Sequence, residues 1–260
     1  MEWRWTGLTN LLLAAPPLPR FRSAPRAHAD DLSRALEIAA MVGLELDEWQ
    51  IEGLRDALGV RPDGRWSASE VAWVVPRQNG KNVGVLVAEL LWLFGCEDNL
   101  ITHSAHVFPT AKEHFLELRR LVEETPALHR KLKPHGIRVG SADLSVELKD
   151  GSRLKFMARA KSSGRGLSGD KVVLDEALWL WDDSLASILP ALSARPNSQI
   201  WYTSSSPIDG AQSDVLRRIC TRGRAGQSTS LAYLEFSADI DADLDDREAW
   251  ATANPSLGKH

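Results

Sequence analysis

Two stretches of this sequence hold the side chains that polyphosphate chemistry requires. In Val75-Pro76-Arg77-Gln78-Asn79-Gly80-Lys81-Asn82 a glycine precedes a lysine. Between a strand and a helix, such a pair lets the backbone approach phosphate oxygens and adds an ammonium group at the terminal ones. The N–H groups of the helix start then face the anion. In Val172-Val173-Leu174-Asp175-Glu176 an apolar run ends in two adjacent acids. At the carboxyl end of a parallel strand, the first acid can hold Mg2+ through water and the second can polarise the water that attacks a γ-phosphate. Both stretches also have plainer readings, a simple β–α turn for Gly80-Lys81 and acids at a helix start for Asp175-Glu176.

The match to the pattern G-x-x-x-x-G-K-[ST] is imperfect. Val75 stands at the first glycine position, and Asn82 replaces the hydroxyl residue that usually touches Mg2+. An asparagine carbonyl oxygen can take that role for a hard cation. Two further stretches extend the set. The run Gln199–Tyr202 ends in Thr203-Ser204-Ser205, hydroxyls able to sense a γ-phosphate or simply to form a serine-rich turn before Pro207. Upstream, Trp49-Gln50 pairs an aromatic face with an amide that can match the adenine edge through one donor and one acceptor.

These residues need elements to carry them. Strand-favouring Val71–Val75 leads through the Gly80 loop into an apolar helix from Lys81 to Phe94. Leu100–Ala105 reads as a strand and Ala111–Val122 as a helix. Leu144, Val146 and Leu148 then alternate with polar residues up to Asp150-Gly151, and Leu154, Phe156 and Ala158 follow, which signals a hairpin. Lys171–Leu174, Ser198–Ser204 and Thr229–Phe236 read as strands, with helices over Ser184–Leu192 and Ser213–Cys220. Upstream, Asp30 opens one helix and Asp47 caps a second that runs to Leu58. Strands alternating with helices predict an α/β fold with a mostly parallel sheet covered on both faces. Four prolines and three arginines in residues 16 to 26 predict an irregular linker after an N-terminal arm, residues 1–29 together.

With 260 residues, 43% of them hydrophobic and 25% charged, the chain can bury a large core, which excludes disordered, collagenous and coiled-coil classes. The net charge of −4 announces neither nucleic acid nor membrane, so either partner must meet a local patch. From Arg119 to Lys171 there is such a patch, thirteen Lys/Arg against six Asp/Glu, densest at Arg130, Lys131, Lys133 and Arg138. It suits non-specific contacts to DNA phosphates, although a solvated face would look the same. Cys96 and Cys220 lack metal-ligand spacing and fit a reducing compartment. The short apolar run at Leu11–Ala15 cannot span a bilayer. The acids Asp239, Asp241, Asp243, Asp245 and Asp246 read as a solvated connector.

Taken in order, Trp49-Gln50, Arg77–Asn82, Val172–Glu176 and Thr203–Ser205 resemble the adenine, Walker A, Walker B and coupling motifs of the large terminase subunit of tailed bacteriophages and prophages, in its N-terminal DNA-packaging ATPase domain. The resemblance covers about residues 30 to 258 and implies a P-loop NTPase fold of the ASCE type, with the hairpin as an insertion. It implies ATP and Mg2+ as ligands, with Lys81 on the β/γ-phosphates, Asp175 and Asn82 at the metal, Glu176 on the attacking water, and Gln78, Asn79 and Gly80 in the phosphate loop. Arg77 would help hold the terminal phosphates. Arg165, in the glycine-rich stretch Ser163–Gly169, resembles the finger that a neighbouring subunit inserts, though a surface loop with an incidental arginine reads equally well. The implied partners are double-stranded DNA, the portal protein, the small terminase subunit and further copies in a ring, usually a pentamer, at the procapsid in the host cytoplasm. No membrane partner is implied. The family's C-terminal nuclease domain is expected to be absent, which suits a shortened chain, a split gene or a prophage remnant. Two alternatives remain at this point: a non-catalytic DNA- or portal-binding remnant with a decayed nucleotide site, and half of a helicase-like translocase.

Overall fold

The computed structural model describes residues 18–96, 100–140, 144–159, 168–207, 214–243 and 245–257. Its strands are β1 (Phe21–Ser23), β2 (Ala29–Asp30), β3 (Gly59–Val60), β4 (Glu70–Val74), β5 (Leu100–Ala105), β6 (Leu132–Val139), β7 (Leu144–Leu148), β8 (Arg153–Ala158), β9 (Lys171–Asp175), β10 (Gln199–Ser204) and β11 (Leu231–Glu235). The helices are α1 (Leu32–Met41), α2 (Glu48–Ala57), α3 (Lys81–Gly95), α4 (Phe108–Glu124), α5 (Pro126–His129), α6 (Asp182–Ser193), α7 (Asp214–Arg224) and α8 (Arg247–Ala253), with a 3-10 turn at Ala177–Trp179.

Nine strands form one sheet in the order β1-β11-β4-β10-β9-β5-β8-β7-β6. The six from β11 to β8 are parallel to their neighbours, and β1, β7 and β6 add antiparallel edges. In the centre, β9 and β10 are buried at every position, as strands covered on both faces must be. The period of two sorts their side chains. From β4 onward, Val71, Trp73 and Val75 enter one core with α1 to α4, while Ala72 and Val74 enter another beneath α6 and α7.

Helix α3 is buried at every residue from Gly84 to Leu93, which explains why its sequence is apolar on all sides. Each fully buried Leu, Val or Trp there contributes about 1.5–3 kcal/mol. The helix approaches the sheet closely at Gly84, where a Cβ would come within 2.6 Å of the Trp73 ring. That glycine lets Trp73 sit between helix and sheet.

Two features differ from the sequence expectations. The proline- and arginine-rich stretch contributes β1, which pairs with β11, and its Arg22 is anchored on α2, bonding Asp56 bidentately and also meeting Glu52. The hairpin turns at Gly151 as expected, with φ +94. β8 pairs with β5 inside the main sheet, and the basic segment supplies β6 on its outer edge. Among the described residues no helix is long and apolar enough to cross a membrane.

Candidate nucleotide site

Because β4, β10 and β9 run in parallel, their carboxyl ends share one edge of the sheet. Val74 is level with Ser204, and Thr203 with Asp175. The loop after β4 and the acids after β9 are therefore brought to the same rim, with β10 between them.

The loop turns through Gln78 (φ +60) and Gly80 (φ +74), left-handed conformations that glycine adopts freely and glutamine does not. A Cβ on Gly80 would also come 2.8 Å from the Gln50 amide nitrogen. No acceptor meets the backbone N–H groups of Gln78, Asn79 or Gly80 among the described residues. Arg77, Gln78 and Asn82 are exposed. Lys81 opens α3, and its ammonium donates to the Val75 and Pro76 carbonyls at 2.7 and 3.0 Å. Burial lowers its pKa to about 8, against the pull of Asp175 upward, while Arg77 adds to the lowering. An amine so poised has strong reason to accept a phosphate.

On the opposite side, Asp175 Oδ1 accepts a hydrogen bond from Thr203 Oγ1 at 2.6 Å. Glu176 follows in a left-handed conformation (φ 52, ψ 47), and its Oε2 is buried with no hydrogen-bond partner. Ser204 Oγ accepts from the Leu178 N–H at 3.1 Å, and the Ser204 carbonyl accepts from Val75 N–H at 2.9 Å. The tip of β10 thus joins both halves of the site.

Trp49 and Gln50 lie on the first turn of α2. Gln50 completes a capping box with Asp47, its Oε1 accepting from Asp47 N–H at 2.7 Å, and its Nε2 donates to the Gly80 carbonyl at 2.7 Å. Both ends of the amide are engaged, and they tie α2 to the loop. Trp49 is buried edge-on against Trp73 and Phe236. Here it packs in the core.

The four basic candidates gather at the outer edge of the sheet. Lys133 and Arg138 share Glu147 at 2.7 and 3.8 Å, and Lys131 bonds the Phe94 carbonyl. Arg130 is exposed. Because α3 ends at Phe94-Gly95 and Glu147 is level with Arg153 at the start of β8, Lys131 and Lys133 lie at the end of the sheet away from Lys81 and Glu176. Arg165 lies outside the described residues.

Two groups that sequence reasoning passed over, Arg159 and the Glu89 cluster, matter here, as do the contacts of Asn79. Arg159, just after β8, donates to the carbonyls of Ser104, Asp175 and Glu176. Burial lowers its pKa to about 10, and Asp175 and Glu176 counter that effect. Asn79 is gripped by the segment after α8: its Nδ2 donates to Asn254 Oδ1 and its Oδ1 accepts from Ser256 N–H, both at 3.0 Å. Beneath the loop, the buried Glu89 carboxylate of α3 takes one bond of 2.7 Å from His103 and another from His114, whose rings stack at 4.2 Å. A lone acid inside the apolar run of α3, and a histidine on the apolar face of α4 beside Ala111 and Phe115, were the signals for that last cluster.

A glycine-lysine loop on one strand and an Asp-Glu tip on another, with a third strand between them, thus sit at one rim of a mixed α/β fold with a mostly parallel nine-stranded sheet. The fold is similar to that of solved phage large-terminase ATPase domains. The structure resembles the HK97 bacteriophage large terminase with a TM-score of 0.71 and 22% identity, over 86% of this chain and 48% of that one. The large terminase of a thermophilic bacteriophage, in complex with ADP, matches at 0.53 and 14%, over 83% of this chain and 48% of that one. The ATPase domain of the Thermus phage P74-26 large terminase matches at 0.52 and 17%, over 66% and 70%. The chain thus spans about half the length of the HK97 protein. No family model matches it, and no curated protein does so by sequence.

Proposed function

We propose that this chain is the ATP-hydrolysing motor domain of a phage DNA-packaging terminase. One observation carries the reading: the parallel strands β4, β10 and β9 end at one rim with Gly80-Lys81, Thr203-Ser204 and Asp175-Glu176 together. The similarity to terminase structures, one of them in complex with ADP, supports the same reading.

The residues present fit a Mg2+–triphosphate. Unpaired N–H groups follow the left-handed turn at Gln78, a lysine sits at the helix start, and a carboxylate oxygen of Glu176 lacks a partner. Asp175 and the exposed Asn82 would hold Mg2+, which when bound neutralises charge across the β- and γ-oxygens. Lys81 would leave its own loop carbonyls for the β/γ-phosphates, with Arg77 on the terminal oxygens. Glu176 orients the attacking water and takes its proton as the new O–P bond forms and the bond from the γ-phosphorus to the bridging oxygen breaks. Thr203, bonded to Asp175, and Ser204, bonded to the loop, would relay loss of the γ-phosphate. Gln50 acts through Gly80, and Trp49 supports the helix that carries it. Arg165 would act from the neighbouring subunit of a ring. Coupling to double-stranded DNA would run through Arg130, Lys131, Lys133 and Arg138, with the portal protein and small terminase subunit as further partners.

Substituting Glu176→Gln in the full chain tests this. ATP turnover should fall by about 100-fold or more while ATP binding persists. Unchanged turnover would contradict the assigned role.

A further inference from the structure

The main chain at Glu176 is held in a left-handed conformation (φ 52, ψ 47) that a non-glycine residue adopts only when its surroundings enforce it. Something must over-determine it. The Asp175 and Glu176 carbonyls both accept from Arg159 Nη2, at 2.6 and 3.1 Å, and Nη1 reaches the Ser104 carbonyl at 2.6 Å. Arg159 N–H also donates to the Ala105 carbonyl at 2.9 Å. One side chain therefore fastens the tips of β8, β5 and β9, three neighbours in the sheet. Below it, the Trp179 N–H closes the turn onto the Glu176 carbonyl at 3.0 Å, and His106 stacks on the Trp179 ring at 5.3 Å. The Glu176 side chain has no such fastening, since its Oε2 is buried without a partner. Its direction is set by the backbone beneath it.

We propose that Arg159 is a positioning residue for hydrolysis: its guanidinium fixes the left-handed turn at Glu176, and so aims the carboxylate at the attacking water. This inference rests on the role proposed above for Glu176. The fork of the guanidinium is what the site uses, because one planar group reaches three carbonyls on two strands at once. Its two terminal nitrogens are committed to backbone oxygens within the chain, and its Nε is buried without a partner, so the end of the fork is turned to the main chain rather than offered to a phosphoryl group. Lysine keeps the charge but offers a single nitrogen, so it cannot hold all three carbonyls in the same geometry. A displacement of about 1 Å in a reacting group is enough to cost about 100-fold in rate.

The test compares Arg159→Lys and Arg159→Gln with the unsubstituted full chain, measuring steady-state ATP turnover with DNA present and binding of a fluorescent ATP analogue. Both variants should lose about 30- to 100-fold in kcat, with KM and analogue affinity moved less than about threefold. In the Glu176→Gln background, whose residual rate is read in single-turnover assays, adding Arg159→Lys should cost less than about twofold, because the residue it positions is already disabled. Three results would overturn the proposal: unchanged kcat in both variants, a loss confined to KM, or a full further loss in the Glu176→Gln background. Failure of the underlying reading looks different, since Glu176→Gln alone would then leave turnover intact. Should Arg159→Gln fold poorly, Arg159→Lys alone decides.

Discussion

Replacing Glu89 with glutamine removes the one charge buried in the middle of α3 while keeping its shape. In the native protein that carboxylate is fully buried and accepts from His103 Nδ1 and His114 Nε2 at 2.7 Å each. Burial alone would push its pKa up, but the charges and hydrogen bonds of His114 and His103 outweigh burial and bring it down from 4.5 to about 2. At about 1.4 kcal/mol per unit, the difference is worth about 3 kcal/mol of stability at neutral pH. The sign follows from the direction. A carboxylate depressed in the folded state contributes fully above 4.5 and loses its contribution as pH falls toward 2. The His114 pKa is raised: burial lowers it, and Glu89 more than compensates. Its share is present below 6.5 and lost as pH rises through the folded value, and it is the same ion pair counted from the other side. Urea denaturation at pH 7 should find Glu89→Gln less stable by about 3 kcal/mol. At about pH 3.5 the gap should have shrunk by about 1 kcal/mol. Equal midpoints at neutral pH, or a gap that does not narrow in acid, would refute the reasoning.

Lys81 must be protonated to meet phosphate, and its pKa is lowered to about 8. Affinity for an ATP analogue should therefore hold steady below neutral pH and weaken to about a tenth at about pH 9, measured by fluorescence titration. A flat profile would count against its role. Asn79→Ala cuts the loop from Asn254 and Ser256 at a cost of about 1–3 kcal/mol in unsatisfied groups, so hydrogen exchange over residues 254–257 should speed up. Unchanged protection there would show that the segment is held by other contacts.

Where sequence spoke clearly, it spoke through periodicity and punctuation. Leu100–Ala105 reads as a strand at the bounds it has in the structure, and the Asp47 cap and the Asp150-Gly151 turn lie where composition puts them. The Gly80-Lys81 loop and the Asp175-Glu176 tip were legible because each follows an apolar strand, and a parallel sheet brings such ends to one side. Long-range polar contacts left no comparable mark. Nothing local tells that Arg159 will reach across β5 to β9, or that Ser256 will seat against Asn79, since both depend on strand order. Gln50 was visible as an amide, but its engagement with the Gly80 carbonyl depends on how α2 packs on the loop. β6 was hidden because its basic residues mask an edge strand whose outer side is open to solvent.

In the proposed motor the loop after β4 and the tip of β9 grip one triphosphate. A crystal structure with Mg2+ and a non-hydrolysable ATP analogue tests it most directly. In that complex the Lys81 ammonium should have left the Val75 and Pro76 carbonyls for the β/γ-oxygens, with Asp175 at the metal and Glu176 facing the γ-phosphate. An analogue bound elsewhere, with Lys81 still on those carbonyls, would contradict it.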